Sequence, residues 1–424
     1  MIAFQYPMGK GVYQGTVTIS ELMELCKLNC CMFRVAVHNL VPLIDIEHPL
    51  SSSKCRKGVH IIKDNGRVIS AEYLETTMTE QDFFVFSRFY EWEDIEIFDC
   101  ISYAKGYLPT DFIKAVLDLY YTKTQLKGVD GREVDYLVSK EMLNSTYGMT
   151  VTDIVREVLE FSETKLSGCV SNYEDMTDEE EEKFLESQIE KYNNNPSRFL
   201  FYPWGVWITS YSRANLFSGI RAVGNDYIYS DTDSMKFTNP DKHLDYIEAY
   251  NKNITDRLLK AMEYHGIDPE KIAPKNSKGI PKPLGIWDFE GIYDEFKTLG
   301  AKRYMWRKGD EYQITVAGIN KVSGRDYIVK LANEINEKRL SQNWNELISP
   351  FDLFSLDLVV PKEYSGRNVL TYIDDETDGY VTDYLGKSYH FHELSSTHME
   401  ATEYSFNPTD EFLYYLFSIR DERW

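Results

Sequence analysis

The eleven residues YIYSDTDSMKF, Tyr227 to Phe237, allow few backbones. Apolar and aromatic residues alternate on either side of a short polar centre, the pattern of two paired strands with a turn between them. That centre holds two carboxylates, Asp231 and Asp233, around one threonine. Residues two apart on a strand face the same way, so the two charges are expected to crowd one side of a hairpin. Like charges this close repel unless a cation lies between them. Hard carboxylate oxygens on a rigid turn suit Mg²⁺, which keeps waters and usually takes one or two protein carboxylates plus substrate phosphates. The stretch therefore predicts phosphoryl-transfer chemistry, and a two-ion site needs a further carboxylate from elsewhere.

A chain of 424 residues exceeds one hydrophobic core, so two or three subdomains are expected. Its first residues, MIAFQYPMGKGVYQG, show no basic region followed by an apolar one, and no stretch reaches the apolar length of a membrane span. A soluble intracellular protein with no membrane partner is expected. The cysteines at 26, 30, 31, 55, 100 and 169 form no CxxC pair, which points to buried, reduced thiols over zinc ligands. A net charge of −22 opposes nucleic-acid binding as a total, but distribution matters more. Between Lys297 and Arg325 lie seven basic residues against two acidic ones. Negative charge gathers instead in DMTDEEEEKFLESQIEKYNNN, residues 175–195, which reads as a solvated, helix-compatible insertion.

Residues 12–90 read as short strands, with a hairpin around Asn65 and Gly66. The period changes at GYLPTDFIKAVLDLYYTKTQLKG. Pro109 and Thr110 suit a helix start, Phe112, Val116 and Leu119 follow helical spacing, and Gly128 stops it. A second helix from about Glu133 through Gly148 makes an antiparallel pair with the first. FYPWGVWITSYSRANLFSGIRAV gives another helix leading into the carboxylate hairpin, strands dominate from Ala301, and an amphipathic helix carrying Phe412 and Leu416 ends the chain.

The second helix carries KEMLNSTYG, with Lys140, Asn144, Tyr147 and Gly148 on one stripe. A cation, an amide, a ring and a gap make poor core but a sensible wall for a nucleotide. The cation would meet phosphates, the ring would support base or sugar, and the glycine would permit close approach. In LGAKRYMW, strand alternation puts Lys302 and Tyr304 on one face and Arg303 on the other, where lysine and tyrosine can hold phosphate and sugar without reading bases.

KEMLNSTYG, YSDTDS and KRY, in this order, resemble motifs B, C and KxY of family B DNA polymerases. The β-rich segment before the helical pair and the acidic one after it resemble the two terminal-protein regions of the protein-primed phage and linear-plasmid branch. YPWGVWITSYSR, VAGINK and EYSGRNVLTYIDDETDGYVTDYLG fit as well. The resemblance implies an α+β right-hand fold of palm, fingers and thumb, lacking the exonuclease domain and the first palm (motif A) strand. Its divisions would be residues 1–107, palm remnant with a terminal-protein-region-1-like insertion; 108–148, fingers; 149–200, terminal-protein-region-2-like insertion; 201–310, palm; and 311–424, thumb and C-terminal helix.

By position, the resemblance makes Asp233 and Asp231 the catalytic metal ligands for two Mg²⁺ ions. Lys140 would contact the dNTP triphosphate, and Asn144, Tyr147 and Gly148 would shape the nucleotide pocket. Lys123 or Lys127 would be the second triphosphate cation. Lys302 and Tyr304 would steady the primer terminus, with Arg303, Lys321 and Arg367 as further DNA contacts. Implied partners are primer-template DNA, dNTPs, a terminal-protein primer and an N-terminal polymerase/exonuclease polypeptide, in the host cytoplasm for a phage-encoded protein. Two departures stand out. DIE occurs at Asp45 to Glu47 and Asp94 to Glu96, but without companion exonuclease motifs both are read as structural. Motif A, Asp-x-x-Ser-x-Tyr-Pro, has no match; Tyr6 and Pro7 follow no aspartate, and the missing one aligns just before Met1. The expectation is a polymerase polypeptide incomplete without an N-terminal partner or segment. The alternatives are a non-catalytic DNA-binding fragment and a two-metal nuclease, which would leave the helix stripe without a role.

Overall fold

Two threonines open the first two helices in the same way. In the computed structural model, which describes residues 1–152, 159–161, 166–169, 177–195, 201–375, 379–382, 388–391 and 394–406, strand β1 (Tyr6–Val17) runs into Thr18. The Thr18 hydroxyl accepts the Glu21 N–H while the Glu21 carboxylate accepts the Thr18 N–H, a capping box that starts α1 (Ile19–Leu28). Strands β2 (Asn29–Pro42), β3 (Cys55–Val59), β4 (Ile62–Asp64) and β5 (Arg67–Thr79) follow. Asn65 and Gly66, with φ of 45° and 76°, form the predicted two-residue turn between β4 and β5. Thr79 and Asp82 repeat the capping box at α2 (Glu80–Phe89), and β6 (Tyr90–Glu91) and β7 (Asp94–Gly106) complete an antiparallel sheet of order β1-β7-β2-β5-β3. The short strands expected over 12–90 are instead long, 12 residues in β1 and 14 in β2, and two helices interrupt them.

The period change gives α3 (Thr110–Leu126) and α4 (Glu133–Gly148), matching the predicted pair, with Gly128 at φ 71° past the end of α3. A short hairpin, β8 (Leu159–Phe161) with β9 (Leu166–Cys169), and the acidic helix α5 (Asp178–Asn193) precede α6 (Tyr202–Val223). The hairpin of β10 (Tyr227–Asp231) and β11 (Ser234–Phe237) comes next. Helix α7 (Leu244–His265), which sequence reasoning missed, ends at Gly266 with φ 61°. A meander of β12 (Glu295–Thr298), β13 (Arg303–Lys308) and β14 (Glu311–Val316) leads to α8 (Lys321–Ser341). Strands were expected to dominate here, yet α8 is 21 residues long; the Asn320 side chain starts it by accepting from the Val322 and Ser323 N–H groups. Antiparallel pairs Arg367–Asp375 with Leu394–Thr402 and Gly379–Thr382 with Ser388–Phe391 follow. The expected C-terminal helix at Phe412 and Leu416 lies outside the described residues.

The chain divides into two compact units, residues 1–154 with 188–289 and residues 155–187 with 290–424. In the first, Phe33, Leu74, Phe83, Phe86 and Phe89 form one core with Phe217 and Ile220 of α6. Tyr6, Leu108, Ile113, Leu117, Trp207 and Leu258 form another. The second unit packs Met305, Ile314, Ile328, Phe354 and Phe406. Cys26, Cys30, Cys31, Cys55 and Cys100 are free and buried, as expected of reduced thiols. No helix among the described residues is long and apolar enough to cross a membrane.

Helix α6 spans both cores of the first unit, and two carboxylates of α2 hold it. Glu80, fully buried, accepts from Trp207 Nε1 at 3.0 Å and from the Cys31 N–H at 2.9 Å. Burial raises its pKa, opposed by these donors. Asp82 takes both Arg213 Nε (2.8 Å) and Nη2 (3.0 Å), and Ser210 Oγ at 2.8 Å. Burial alone would raise the Asp82 pKa, but Arg213 and the hydroxyl donors outweigh it and hold the carboxyl below its usual range. Arg213→Met keeps the apolar stem of the side chain and strands Asp82 without its cation. The expected loss is about 2–4 kcal/mol, with its companion variant Asp82→Asn/Arg213→Met recovering part of it, measured by urea unfolding.

Candidate functional site

Strands β10 and β11 pair with Asp231 opposite Ser234, so Thr232 and Asp233 form a two-residue turn. Asp231 ends its strand and Asp233 sits in the turn. Turn geometry, not the strand alternation expected from the sequence, therefore governs the two carboxylates. Thr232 has φ 57°, a left-handed backbone that is unusual for a β-branched residue. Its hydroxyl donates to Asp231 Oδ1 at 3.0 Å, and the Asp233 N–H donates to the Asp231 carbonyl at 2.7 Å. Backbone strain of this kind gathers at functional sites. The other end of the hairpin is closed by Asp226, whose carboxylate accepts from Asn239 Nδ2 and contacts His243 Nε2, each at 2.8 Å, and accepts from Thr238 Oγ1 at 3.1 Å. Asn239 and His243 hold the Asp226 pKa down to about 2.

Helix α3 presents Lys123 to this hairpin. Burial lowers the pKa of the Lys123 ammonium, the charges of Lys127 and Lys140 lower it further, and Asp233 acts in the opposite direction. The structure thus brings Lys123 and Lys127 from α3, Lys140 from α4 and Asp233 from the turn into one electrostatic neighbourhood. Lys123 is half-buried and Lys127 exposed, and Lys123 Nζ lies 5.7 Å from the Tyr120 ring centroid. Along the α4 stripe, Lys140 and Tyr147 are half-buried and Asn144 is exposed. A Cβ added at Gly148 would meet nothing within 4 Å, so its surface is open to a ligand.

Tyr147 also lines a cavity of about 350 Å³ with Lys54, Thr79, Asp82, Tyr202 and Arg213. Burial, and then Arg213, lower the Lys54 pKa. The crossing of α6 beside this cavity requires Gly205, because a Cβ there would lie 2.7 Å from Thr150 Oγ1. Sequence reasoning passed over Asp82, Arg213 and Lys54. The signal for the first pair was the spacing of Ser210 and Arg213 on one face of α6.

The remaining predicted residues lie in the second unit. Lys302 is not on a strand: with φ 54° it belongs to the turn before β13, so the predicted alternation of Lys302 with Tyr304 does not hold. Its carbonyl accepts the Ala317 N–H at 3.0 Å. Tyr304 stacks on Phe296 with centroids 5.5 Å apart, and Arg303 Nη1 donates to the Phe406 carbonyl at 2.9 Å. Lys321 is exposed at the start of α8, and the exposed Arg367 guanidinium lies 5.6 Å from the Tyr404 ring centroid. Of the two DIE segments, Glu47 pairs with Arg67 in a loop, and Asp94 to Glu96 open β7.

The hard oxygens of Asp231 and Asp233 suit a divalent cation such as Mg²⁺. Among the described residues, however, no group of three Asp, Glu, His or Cys side chains is placed to hold a metal ion. The hairpin therefore fits part of a two-ion site and does not complete one.

The α+β fold is structurally similar to part of phi29 DNA polymerase, and the chain is distantly similar to the phi29-type, protein-primed family B DNA polymerases. The DNA polymerase of Bacillus phage B103 is 23% identical over 252 residues, 59% of this chain and 33% of that polymerase. Phi29 DNA polymerase in an orthorhombic crystal form matches with a TM-score of 0.53 at 15% identity, over 96% of this chain and 56% of that one. Phi29 DNA polymerase complexed with primer-template DNA and incoming nucleotides matches with a TM-score of 0.54, over 95% and 55%. The chain thus spans a third of the length of the one and just over half of the other. No protein-family model matches it.

The depressed Asp226 pKa gives a pH test of the hairpin. A carboxylate whose folded pKa lies below its ordinary value of 3.8 stabilises the fold above that value and loses the contribution as pH falls through about 2. Asp226→Asn should therefore lower Tm at pH 7. The gap to the wild type should close as pH drops from about 4 towards 2, as followed by circular dichroism.

Proposed function

We propose that this chain is the polymerase part of a phage- or plasmid-type, protein-primed family B DNA polymerase, acting in DNA replication by template-directed nucleotidyl transfer. The observation that carries the reading is the setting of Lys123, a half-buried ammonium acted on by the charges of Lys127 and Lys140 and by Asp233 of a strained carboxylate turn. A triphosphate is the ligand that such a group of cations would neutralise. Two Mg²⁺ ions, held in part by Asp231 and Asp233, would supply activation of a primer 3′-hydroxyl and stabilisation of the leaving pyrophosphate. Lys140 and Lys123 would bind the triphosphate, with Lys123 favoured over Lys127 because it is half-buried and senses Asp233 directly. Asn144, Tyr147 and the open face of Gly148 would shape the nucleotide and templating-base pocket. Lys302 and Tyr304 would hold the primer terminus, with Arg303, Lys321 and Arg367 as further contacts to DNA. Residues 1–107, 108–148, 149–200, 201–310 and 311–424 would correspond to palm with first insertion, fingers, second insertion, palm and thumb.

The third carboxylate is assigned to polypeptide outside the described residues, on a strand of the form Asp-x-x-Ser-x-Tyr-Pro. The 424-residue protein is then expected to show little or no primer extension with Mg²⁺, and a polypeptide carrying that strand and the exonuclease domain should restore it. In the restored enzyme, Asp233→Asn should abolish incorporation while leaving primer-template affinity within a few fold. Extension by the 424-residue protein alone would overturn the assignment. A second reading, a DNA-binding polymerase fragment without chemistry, is favoured by the incomplete carboxylate set; it predicts primer-template binding with no activity after complementation.

The cations separate in kinetics. Lys140→Ala should raise the KM for dNTP with little change in DNA affinity, by the roughly 1.5–3 kcal/mol of a charged hydrogen bond. Lys302→Ala should weaken DNA binding with little change in KM for dNTP. Identical profiles for the two variants in steady-state assays of the restored enzyme would sink both roles.

A further inference from the structure

A second cationic site lies in the first unit and shares no residue with the hairpin or the α3–α4 lysines. Arg88 from α2, Lys105 from the end of β7, and Arg257 and Lys260 from α7 line one cavity of about 480 Å³. Its volume falls within the range of small-ligand sites. In a chain with 68 acidic residues against 46 basic ones, its lining contains no Asp or Glu. None of the four cations has a salt bridge among the described residues, whereas Lys252, one turn earlier on α7, pairs with Asp256 at 2.7 Å.

The cations are arranged by ordered elements. Asn253, Arg257 and Lys260 fall at i, i+4 and i+7 on α7, and Gln81, Phe84 and Arg88 at i, i+3 and i+7 on α2, so one stripe of each helix meets the cavity. Arg257 Nε donates to Asn253 Oδ1 at 2.7 Å while its guanidinium sits 5.4 Å from the Phe4 ring centroid. That bond uses Nε, and no bond to the two terminal nitrogens is seen among the described residues. Lys105 donates to the Cys26 carbonyl at 2.7 Å, which fixes its ammonium at the wall. Phe4 stacks on Tyr211 with centroids 4.3 Å apart, and Tyr107 and Tyr250 also line the space.

Unpaired cations alone would suit any anion. Cations interleaved with aromatic faces and amides suit a phosphate carried by a flat ring, since base stacking on aromatics and phosphate contact with Arg and Lys are the two components of single-strand binding. We propose that this cavity is a second binding site for a phosphorylated nucleoside, its phosphate among Arg88, Arg257 and Lys260 and its base against Phe4, Tyr107 or Tyr250. The same chemistry is offered by a free mononucleotide and by one residue of a single strand. The inference stands on the lining of this cavity and not on the nucleotidyl-transfer reading.

The test is photocrosslinking of the 424-residue protein in EDTA, so that no synthesis is involved. The probes are 5-iodo-dUMP and a decathymidylate with one 5-iodouracil, with crosslinked peptides mapped by mass spectrometry. Crosslinks at Phe4, Tyr107 or Tyr250 are expected, reduced at least tenfold in Arg257→Glu/Lys260→Glu and unchanged within twofold in Lys123→Ala and Asp233→Asn. Crosslinking by both probes identifies the mononucleotide as sufficient, and crosslinking by the oligonucleotide alone identifies a strand; either supports the site. No crosslink at these residues from either probe overturns it. Equal loss of crosslinks to competing polyglutamate and to unlabelled decathymidylate also overturns it, because the cavity would then recognise charge without the ring. Both charge-reversed residues are exposed, and an unchanged melting curve shows that the variant is folded.

Discussion

The carboxylate hairpin has no sheet partner among the described strands, so its position depends on the helix before it. A two-stranded hairpin is marginal by itself in water. Helix α6 supplies what is missing: Phe217 and Ile220 are buried in the core beneath the large sheet, and Met235 of β11 packs against the same cluster. Helix α6 is in turn held by Glu80 and Asp82, two residues apart at the start of α2. One is buried against the Trp207 indole and the other clamps Arg213 through two nitrogens. Buried carboxylates are costly unless every oxygen is satisfied, and here each receives several donors. The capping box at Thr79 and Asp82 thus does more than start a helix. Its aspartate accepts from Thr79, Ser210 and Arg213 together, so the beginning of α2 and the middle of α6 are fixed by one side chain.

Much of this was legible in residues whose meaning is local. The period of 110–126 and 133–148, Asn65-Gly66, and the hairpin at 227–237 all rest on patterns a few residues long, and the structure forms each of them. The helices missed at 19–28 and 80–89 had local signals too, T-x-x-E and T-x-x-D ahead of apolar residues, but the surrounding β-rich composition hid them. Lys302 shows a different failure. Its tripeptide reads as a strand, but the chain turns there and closes with an Ala317 N–H bond to its carbonyl, a partner 15 residues away that no local pattern reports. The Glu80–Trp207 and Asp82–Arg213 contacts span 127 and 131 residues, so they too were beyond reach. The stripe with Lys140 was legible on α4, but the meeting of Lys140 with Lys123 required the packing of two helices.

That meeting carries an electrostatic consequence. The Lys123 pKa is lowered by burial and by two neighbouring ammonium groups, with Asp233 acting as a counter-charge. Lys127 and Lys140 each repel Lys123 until an anion arrives, and the fold bears that repulsion in advance, as preorganised sites do. A divalent cation on Asp231 and Asp233 would draw carboxylate charge away from Lys123 and sharpen the repulsion among the lysines. An anionic phosphate group would relieve it. Cation and phosphate binding should therefore favour each other through Asp233, because each removes the cost that the other imposes. A net charge of −22 does not oppose such a site: exposed acidic residues of α5 are screened by salt over about 8–10 Å, whereas a half-buried lysine is screened far less.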